Sequence, residues 1–325
     1  MKKKLFAESK GALFLAFIIA AAFPLLMKIF VPSPNYVIQI GVFILIYSIA
    51  ASGLDILYGY CGQISMGHAA FFAIGAYGSA LLTDKLGLPI FLSALIACVA
   101  AMLIAALLAY PAAKLKFHFL SLATIAFGEI ILSFVQASPG EITGNFRGYF
   151  PAKVVLFGIN FSNNYALYFY LALTILFAAL AAKQTIIHSK TGRSFIAIRE
   201  NVVAAGGMGI NVTKYKVLAF SLSAFYVAAA GALYGHFVNY ISPGLFTYNQ
   251  SVSFVTMLLF GGSGSLWGPV VGVISVQVMN ELLRSLEQYQ TLFYGVLMLI
   301  VILFMPNGLI NLRLKFHKKD RGVKQ

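Results

Sequence analysis

Charge is what this 325-residue chain has least of. Asp, Glu, Lys and Arg make up 10% of it, where a soluble domain carries about 25%. That scarcity excludes a soluble globule, which has no other way to solvate its surface. Cysteine is limited to Cys61 and Cys98. No metal-type Cys/His spacing exists, so neither a disulfide scaffold nor a zinc module is encoded. The sequence also lacks a G-x-x-x-x-G-K-[ST] phosphate loop, an H-E-x-x-H pair, a G-x-S-x-G elbow and a pair of catalytic carboxylates. The residues therefore point to no enzyme, no cofactor and no metal, and any ATP chemistry has to reside in another chain.

What is present is oil. Residues of the set AVILMFWYC make up 60% of the chain. Counting glycine in place of tyrosine gives about 64%, against roughly 45–50% in soluble domains. Neither a disordered chain nor a single core suits that composition; a lipid bilayer does. The formal net charge of +14 would suit nucleic acid if it lay on one aromatic-laced face. It sits instead at the two ends and in short loops, which argues against nucleic-acid binding.

A helix needs about 20 apolar residues to cross the hydrocarbon. The sequence predicts ten such runs, at 12–30, 36–58, 64–83, 89–110, 117–138, 165–182, 216–240, 249–262, 267–284 and 289–306. The first follows Met1-Lys2-Lys3-Lys4 and is long for a signal peptide, so it reads as a retained helix. The third carries Ser65, Gly67, His68 and Gly75, and the eighth is short, so either reads as broken or re-entrant. Counting the helical rise, Cys98 lies about 15 Å deeper than Cys61, too far for a disulfide. With an even count, eighteen Lys/Arg fall on one side, Lys183 among them, and five on the other: Lys28, Lys85, Arg147, Lys153 and Arg284. The rich side is then cytoplasmic. The expected architecture is an all-α integral membrane protein of the plasma (inner) membrane, with about ten transmembrane helices. A basic N-terminus (1–11) and a basic tail (311–325) lie in the cytoplasm, and the permeating domain spans 12–310. Its two long loops are external (139–164) and cytoplasmic (183–215).

Glycine recurs where helices must approach closely. Gly264, Gly268 and Gly272 are spaced by four, as are Gly231 and Gly235, which suits small-residue packing. Two stretches are richer, Tyr58–Phe72 and Phe260–Pro269. Each is a glycine turn feeding a small-residue helix, with Pro269 placed where a helix wastes no amide. They allow an internal repeat without establishing one. Ionisable residues inside the runs are Asp55, His68 and Glu129. Each reads either as a group on a pathway wall, as part of a proton relay, or as a hydrogen-bonded helix contact. Glu281 and Arg284 read as a surface pair, and His118, His188 and His236 as interfacial or loop residues. Asn239, Tyr240 and Tyr248 sit near the outer mouth.

The run Gly62-Gln63-Ile64-Ser65-Met66-Gly67-His68-Ala69-Ala70-Phe71-Phe72 resembles the signature of branched-chain amino-acid ABC transporter permeases of the LivH/LivM family, LivM type. Ala126-Phe127-Gly128-Glu129-Ile130 is similar to the family's mid-chain helix. Gly192-Arg193-Ser194-Phe195-Ile196-Ala197-Ile198-Arg199-Glu200-Asn201, continuing to Lys216, resembles its coupling loop. Gly261–Gly272 resembles its late glycine motif. The likeness covers roughly residues 40–310 in the right order. This chain departs from the family at Val202-Val203 and Gly206-Gly207, where acidic residues are usual, and at Asn145, where a second glycine is common.

The resemblance implies a permease subunit without its own ATP site. It works beside a LivH-type second permease, two cytoplasmic ATP-binding subunits and an external substrate-binding protein, and it imports Leu, Ile or Val. A urea, short-amide or sugar cargo is the nearest alternative, and an ion-coupled secondary transporter the next. Implied ATPase-coupling residues are Gly192, Arg193, Phe195, Ile198, Arg199 and Glu200, on a short amphipathic helix capped by Ser194 whose apolar contacts are Phe195, Ile196 and Ile198. The plain alternative is a solvated loop with an interfacial helix. Gln63, Ser65, Gly67, His68, Thr124, Glu129, Gly264 and Gly268 are candidates for the translocation pathway or for helix packing.

Overall fold

The computed structural model describes residues 2–30, 32–113, 117–138, 142–151, 155–156, 159–160 and 164–284, with residues 292, 295, 296 and 299 beyond. In lipid the backbone must satisfy its own hydrogen bonds, and this chain does so with helices. They are α1 (Lys2–Phe30), α2 (Pro34–Asp55), α3 (His68–Leu86), α4 (Ile90–Ala112), α5 (Phe117–Ala137), α6 (Tyr165–His188), α7 (Lys190–Glu200), α8 (Val202–Gly207), α9 (Val212–Val238), α10 (Tyr248–Gly261) and α11 (Gly268–Leu282). A π-helical turn, Ile56–Tyr60, ends α2. The strands among the described residues are two residues each, Val155–Leu156 paired antiparallel with Ile159–Asn160.

Local chemistry sets the starts. The Asn164, Asn201 and Asn211 side chains accept amide hydrogens at the N-termini of α6, α8 and α9, and Ser189 does the same for α7. The cap of α7 is therefore Ser189 rather than Ser194, whose hydroxyl donates within the helix to the Lys190 carbonyl at 3.2 Å. The proline start of α11 is as the sequence predicts.

The protein is an all-α, multi-pass membrane protein. Five helical segments are long and apolar enough to cross: Pro34–Tyr60, Ile90–Ala112, Leu120–Ala137, Tyr165–His188 and Val212–Val238. Ten full crossings are not seen among the described residues, for physical reasons. The 61–67 stretch is not helical, and α3, although 19 residues long, is polar at both ends, with His68 at its start and Thr83, Asp84 and Lys85 at its finish. With 14 and 15 residues, α10 and α11 reach about 21–23 Å, short of the roughly 30 Å hydrocarbon. The apolar part of α1 is Leu15–Phe30. The tenth run at 289–306 and the tail at 311–325 fall outside the continuously described residues, as do Lys114, Lys116 and Lys153.

Burial sorts the helices. In α2 and α9, 67% of the spanning window is inside the protein, against 28% in α4, 33% in α6 and 17% in α5. The centre is held by close backbone approach. A Cβ on Gly75 would lie 2.0 Å from the Ala228 carbonyl oxygen, and one on Gly231 would lie 2.0 Å from that of Phe72, so α3 and α9 meet without side chains between them. The Tyr168 hydroxyl donates to the Leu233 carbonyl at 2.7 Å and the Tyr226 hydroxyl to that of Ala179 at 2.8 Å, joining α6 to α9. His236 is not interfacial: it is buried, with Nε2 2.8 Å from Ser79 Oγ. Both cysteines are free and buried. The outward face of α4 exposes Leu92, Leu95, Ile96, Val99, Leu103 and Leu107, a surface suited to acyl chains.

Candidate coupling and translocation site

The two glycine-rich stretches meet. Asp55 closes α2 just before the π-helical turn, and its carboxylate is wholly buried. Oδ2 accepts from Lys183 Nζ of α6 at 2.8 Å, with both side chains 0% exposed. Oδ1 accepts the Gly264 amide at 2.7 Å from the turn between α10 and α11. Lys183 Nζ also donates to the Ser265 carbonyl at 3.2 Å and lies 5.8 Å from the centroid of the Tyr60 ring. From α7, Arg199 Nη1 donates to the Gly59 carbonyl at 2.6 Å, while its Nη2 binds Glu200 at 2.7 Å. Gly264 holds φ +75°. A Cβ on Gly59 would lie 2.0 Å from Asp55 Oδ1 and 2.4 Å from the Gly264 nitrogen. Both positions demand glycine, the first for its backbone and the second for space.

This junction shows why a charge pair tolerates the interior. Taking an ammonium and a carboxylate out of water costs several kcal/mol each, and attraction offsets that only when further hydrogen bonds complete both ions. Here the amide of Gly264, the carbonyl of Ser265 and the Tyr60 ring do so. The sequence places Lys183 among the loop charges; the structure corrects this, because α6 continues to His188 and draws Lys183 inside. The basic bias is then seventeen to five, which leaves its sign unchanged.

On α7, Gly192, Phe195 and Ile198 are buried within this chain. Phe195 sits against the Tyr215 ring at 6.2 Å. Phe195 and Ile198 therefore anchor α7 to α9 and the bundle and are not free to contact another protein. What is offered outward is Arg193, Arg199 and Glu200, followed on α8 and its exit by Val202, Val203 and Met208, the last two 84% and 83% exposed.

From this junction the 61–67 stretch runs to α5. Gln63 is buried, and its backbone N–H donates to the Leu57 carbonyl at 3.1 Å. Thr124 Oγ1 accepts the Met66 amide at 3.1 Å, and the Ser121 hydroxyl donates to the Ile64 carbonyl at 3.4 Å. A Cβ on Gly67 would lie 2.1 Å from the Thr124 carbonyl oxygen. His68 is fully engaged: Nδ1 is 2.9 Å from Ser65 Oγ and Nε2 is 2.8 Å from Ser223 Oγ of α9. The Ala69 amide donates to Ser251 Oγ at 2.8 Å, which adds α10. Gly268 donates to Ser265 Oγ at 2.9 Å within its own turn. Glu129, alone among these residues, is exposed. Sequence reasoning misses Lys183, Tyr60, Ser223, Ser251 and Ser265, which only tertiary packing brings here.

At the opposite end of α3 and α9 the 142–151 segment docks on the exit of α9. Tyr149 and Ile241 exchange backbone hydrogen bonds at 2.7 and 2.9 Å, and the Tyr240 hydroxyl donates to the Arg147 carbonyl at 3.2 Å. Asn145 adopts φ +56°, a left-handed conformation that Asn tolerates. The Tyr149 hydroxyl donates to Asp84 Oδ2 at 2.7 Å. Burial, and after it Asp84, raises this phenol above its ordinary pKa. Phe146 and Phe150 remain 74% and 72% exposed beside it. Among the described residues no group of three His, Cys, Asp or Glu side chains could hold a metal ion.

Comparison with known proteins fits this arrangement. Residues 36–305 match the family described as branched-chain amino acid transport system, permease component. The chain is 28% identical to the high-affinity branched-chain amino acid transport system permease protein LivM of Salmonella typhimurium, over 95% of this chain and 75% of that one. It is 29% identical to LivM of Escherichia coli over 84% and 69%, and 25% identical to LivH of Escherichia coli over 81% and 91%. No solved structure matches it. The chain belongs to the family of branched-chain amino acid transport permease components, and is a transport permease rather than a catalytic enzyme.

Proposed function

We propose that this chain is the LivM-type membrane subunit of an ATP-binding-cassette importer that carries Leu, Ile or Val across the inner membrane. In this reading it is a multi-pass subunit with both termini in the cytoplasm. It pairs with a LivH-type permease, two cytoplasmic ATPases and an external binding protein that delivers the cargo. The observation that carries the reading is the tie of Arg199 to Gly59 and, four residues earlier, of Asp55 to Lys183 and Gly264. One short helix, α7, is thereby joined to both breaks in the bundle. An ATPase that grips α7 and α8 moves them as a rigid body, because Phe195 and Ile198 lock α7 to the bundle. Val203 and Met208 supply exposed apolar area for that grip, with Arg193 and Glu200 as its polar surround.

The test replaces the grip and leaves the anchor. Val203→Glu with Met208→Glu should leave membrane insertion and permease pairing intact, while ligand-stimulated ATP hydrolysis and uptake fall at least about tenfold, the effect of a lost contact worth roughly 1.4 kcal/mol. Normal uptake by that double variant refutes the coupling surface. Which of leucine, urea, a short amide or a sugar stimulates ATP hydrolysis by the purified complex with its binding protein decides the cargo. Uptake by the chain alone without nucleotide would instead establish an ion-coupled transporter.

A further inference from the structure

Glu129 stands apart from every other acidic group in the bundle interior. It lies on α5 about 18 Å from Phe117 and about 12 Å from Ala137 along the helix. It is exposed and makes no ion pair or hydrogen bond with any described residue. Leu122, Ala126, Glu129 and Ser133 share one exposed face at helical spacing. The opposite face, with Thr124 and Val135, is buried. A carboxylate turned to acyl chains at that depth costs at least about 2.5 kcal/mol. Ile130 and Phe134 beside the stripe are exposed like the Leu, Ile, Val and Phe of α4, so what sets this face of α5 apart is Glu129 and Ser133.

Behind the stripe, α5 is tied to the helix break. Thr124 holds the Met66 amide, and the ideal Cβ of Gly128 lies 3.8 Å from the Cα of Gly67. The stripe thus sits on the element that receives the 61–67 stretch from the Asp55–Lys183 junction. We infer that the Leu122–Ala126–Glu129–Ser133 face of α5 is a wall of the water-filled translocation path, and that Glu129 is the group that meets the ammonium of the passing amino acid. This rests on the amino-acid cargo proposed above. The magnitude suits transport: a carboxylate–ammonium contact in water is worth about 0–1 kcal/mol. That is enough to orient a zwitterion and too little to trap it.

The experiment uses the full complex in liposomes, with Cys61 and Cys98 replaced by alanine. Ala126→Cys and Ser133→Cys should react with charged methanethiosulfonates, and Leu107→Cys on α4 should not. The cationic reagent should outpace the anionic one severalfold, and Glu129→Gln should abolish that ratio. In cysteine-free complex, Glu129→Gln should lower leucine uptake by up to about fivefold, with Glu129→Asp recovering part of it. Unreactive cysteines at 126 and 133 would overturn the wall. A charge ratio or an uptake rate unmoved by Glu129→Gln would overturn the role of the carboxylate. If the unaltered complex imports none of Leu, Ile or Val, the ammonium contact falls with the cargo reading, and the labelling still decides the wall by itself.

Discussion

Removing the Lys183 ammonium should be among the most damaging single changes available in this protein. Lys183→Met keeps most of the side-chain volume and deletes the charge. Asp55 would then retain the Gly264 amide at 2.7 Å but lose the 2.8 Å ion pair, in a site where neither side chain has any exposure. Breaking a buried pair from one side costs about 3–5 kcal/mol, because the stranded ion stays desolvated. That is roughly a hundredfold to several-thousandfold in the folding equilibrium. Asp55→Asn should be comparably harmful, since it strands the ammonium. The double variant Asp55→Asn with Lys183→Met is the decisive arm. It removes both charges while the Asn oxygen still accepts from Gly264, and replacing a buried pair by neutral groups is often without net cost. Equilibrium unfolding of the purified subunit in mixed detergent, run as a double-mutant cycle, reads the interaction. We expect the double variant to recover most of the stability lost by either single one. A cycle in which the two losses simply add, or a Lys183→Met protein within about 1 kcal/mol of the parent, refutes the account of this junction.

Two further outcomes follow from the same geometry. Gly59→Ala should destabilise by about 1–3 kcal/mol, since its methyl would lie 2.0 Å from Asp55 Oδ1. Gly207→Ala on α8, with nothing within 4 Å, should be neutral or stabilising by up to about 1 kcal/mol; melting temperatures of the two proteins check the contrast, and equal shifts would count against it. If the binding protein of the proposed complex docks on the 142–151 segment, Phe146→Ala with Phe150→Ala should leave the fold intact, because both rings are exposed, yet weaken its stimulation of ATP hydrolysis. An unchanged response would remove these rings from that interface.

Much of the fold is legible because lipid imposes a simple rule. Runs of about 20 apolar residues become helices, and the limits of α4 and α5 fall within a few residues of what hydropathy alone predicts. The glycine stretches are equally legible as breaks, since Gly62 and Gly264 carry positive φ of 71° and 75°. The partner of Asp55 is not. A lone carboxylate in an apolar run announces that it needs a cation, but the one it finds is 128 residues away. Lys183 looks like the boundary of its helix because the apolar run stops there, although helical hydrogen bonding continues to His188. Likewise Phe195 and Ile198 form an apolar stripe whose partner the periodicity cannot name. The stripe is satisfied by this chain, which leaves α8 as the outward surface.

In the coupling reading proposed above, the burial pattern gives a route for motion entering at α7. Arg199 grips the Gly59 carbonyl, and from Gly59 the chain runs through Gly62 to the Thr124 contact on α5. Along that route the pieces are hydrogen-bonded end to end, and packed groups transmit displacement because they do not compress. At its start the route is pinned by α2, two-thirds buried. At its finish is α5, with 17% of its window inside the protein and correspondingly few contacts to resist a shift. A push applied at the α7 end is therefore absorbed least where the buried ion pair stiffens the junction and most at α5. That helix carries Glu129 on its exposed face, so in the coupling reading proposed above Glu129 is the charge that would move.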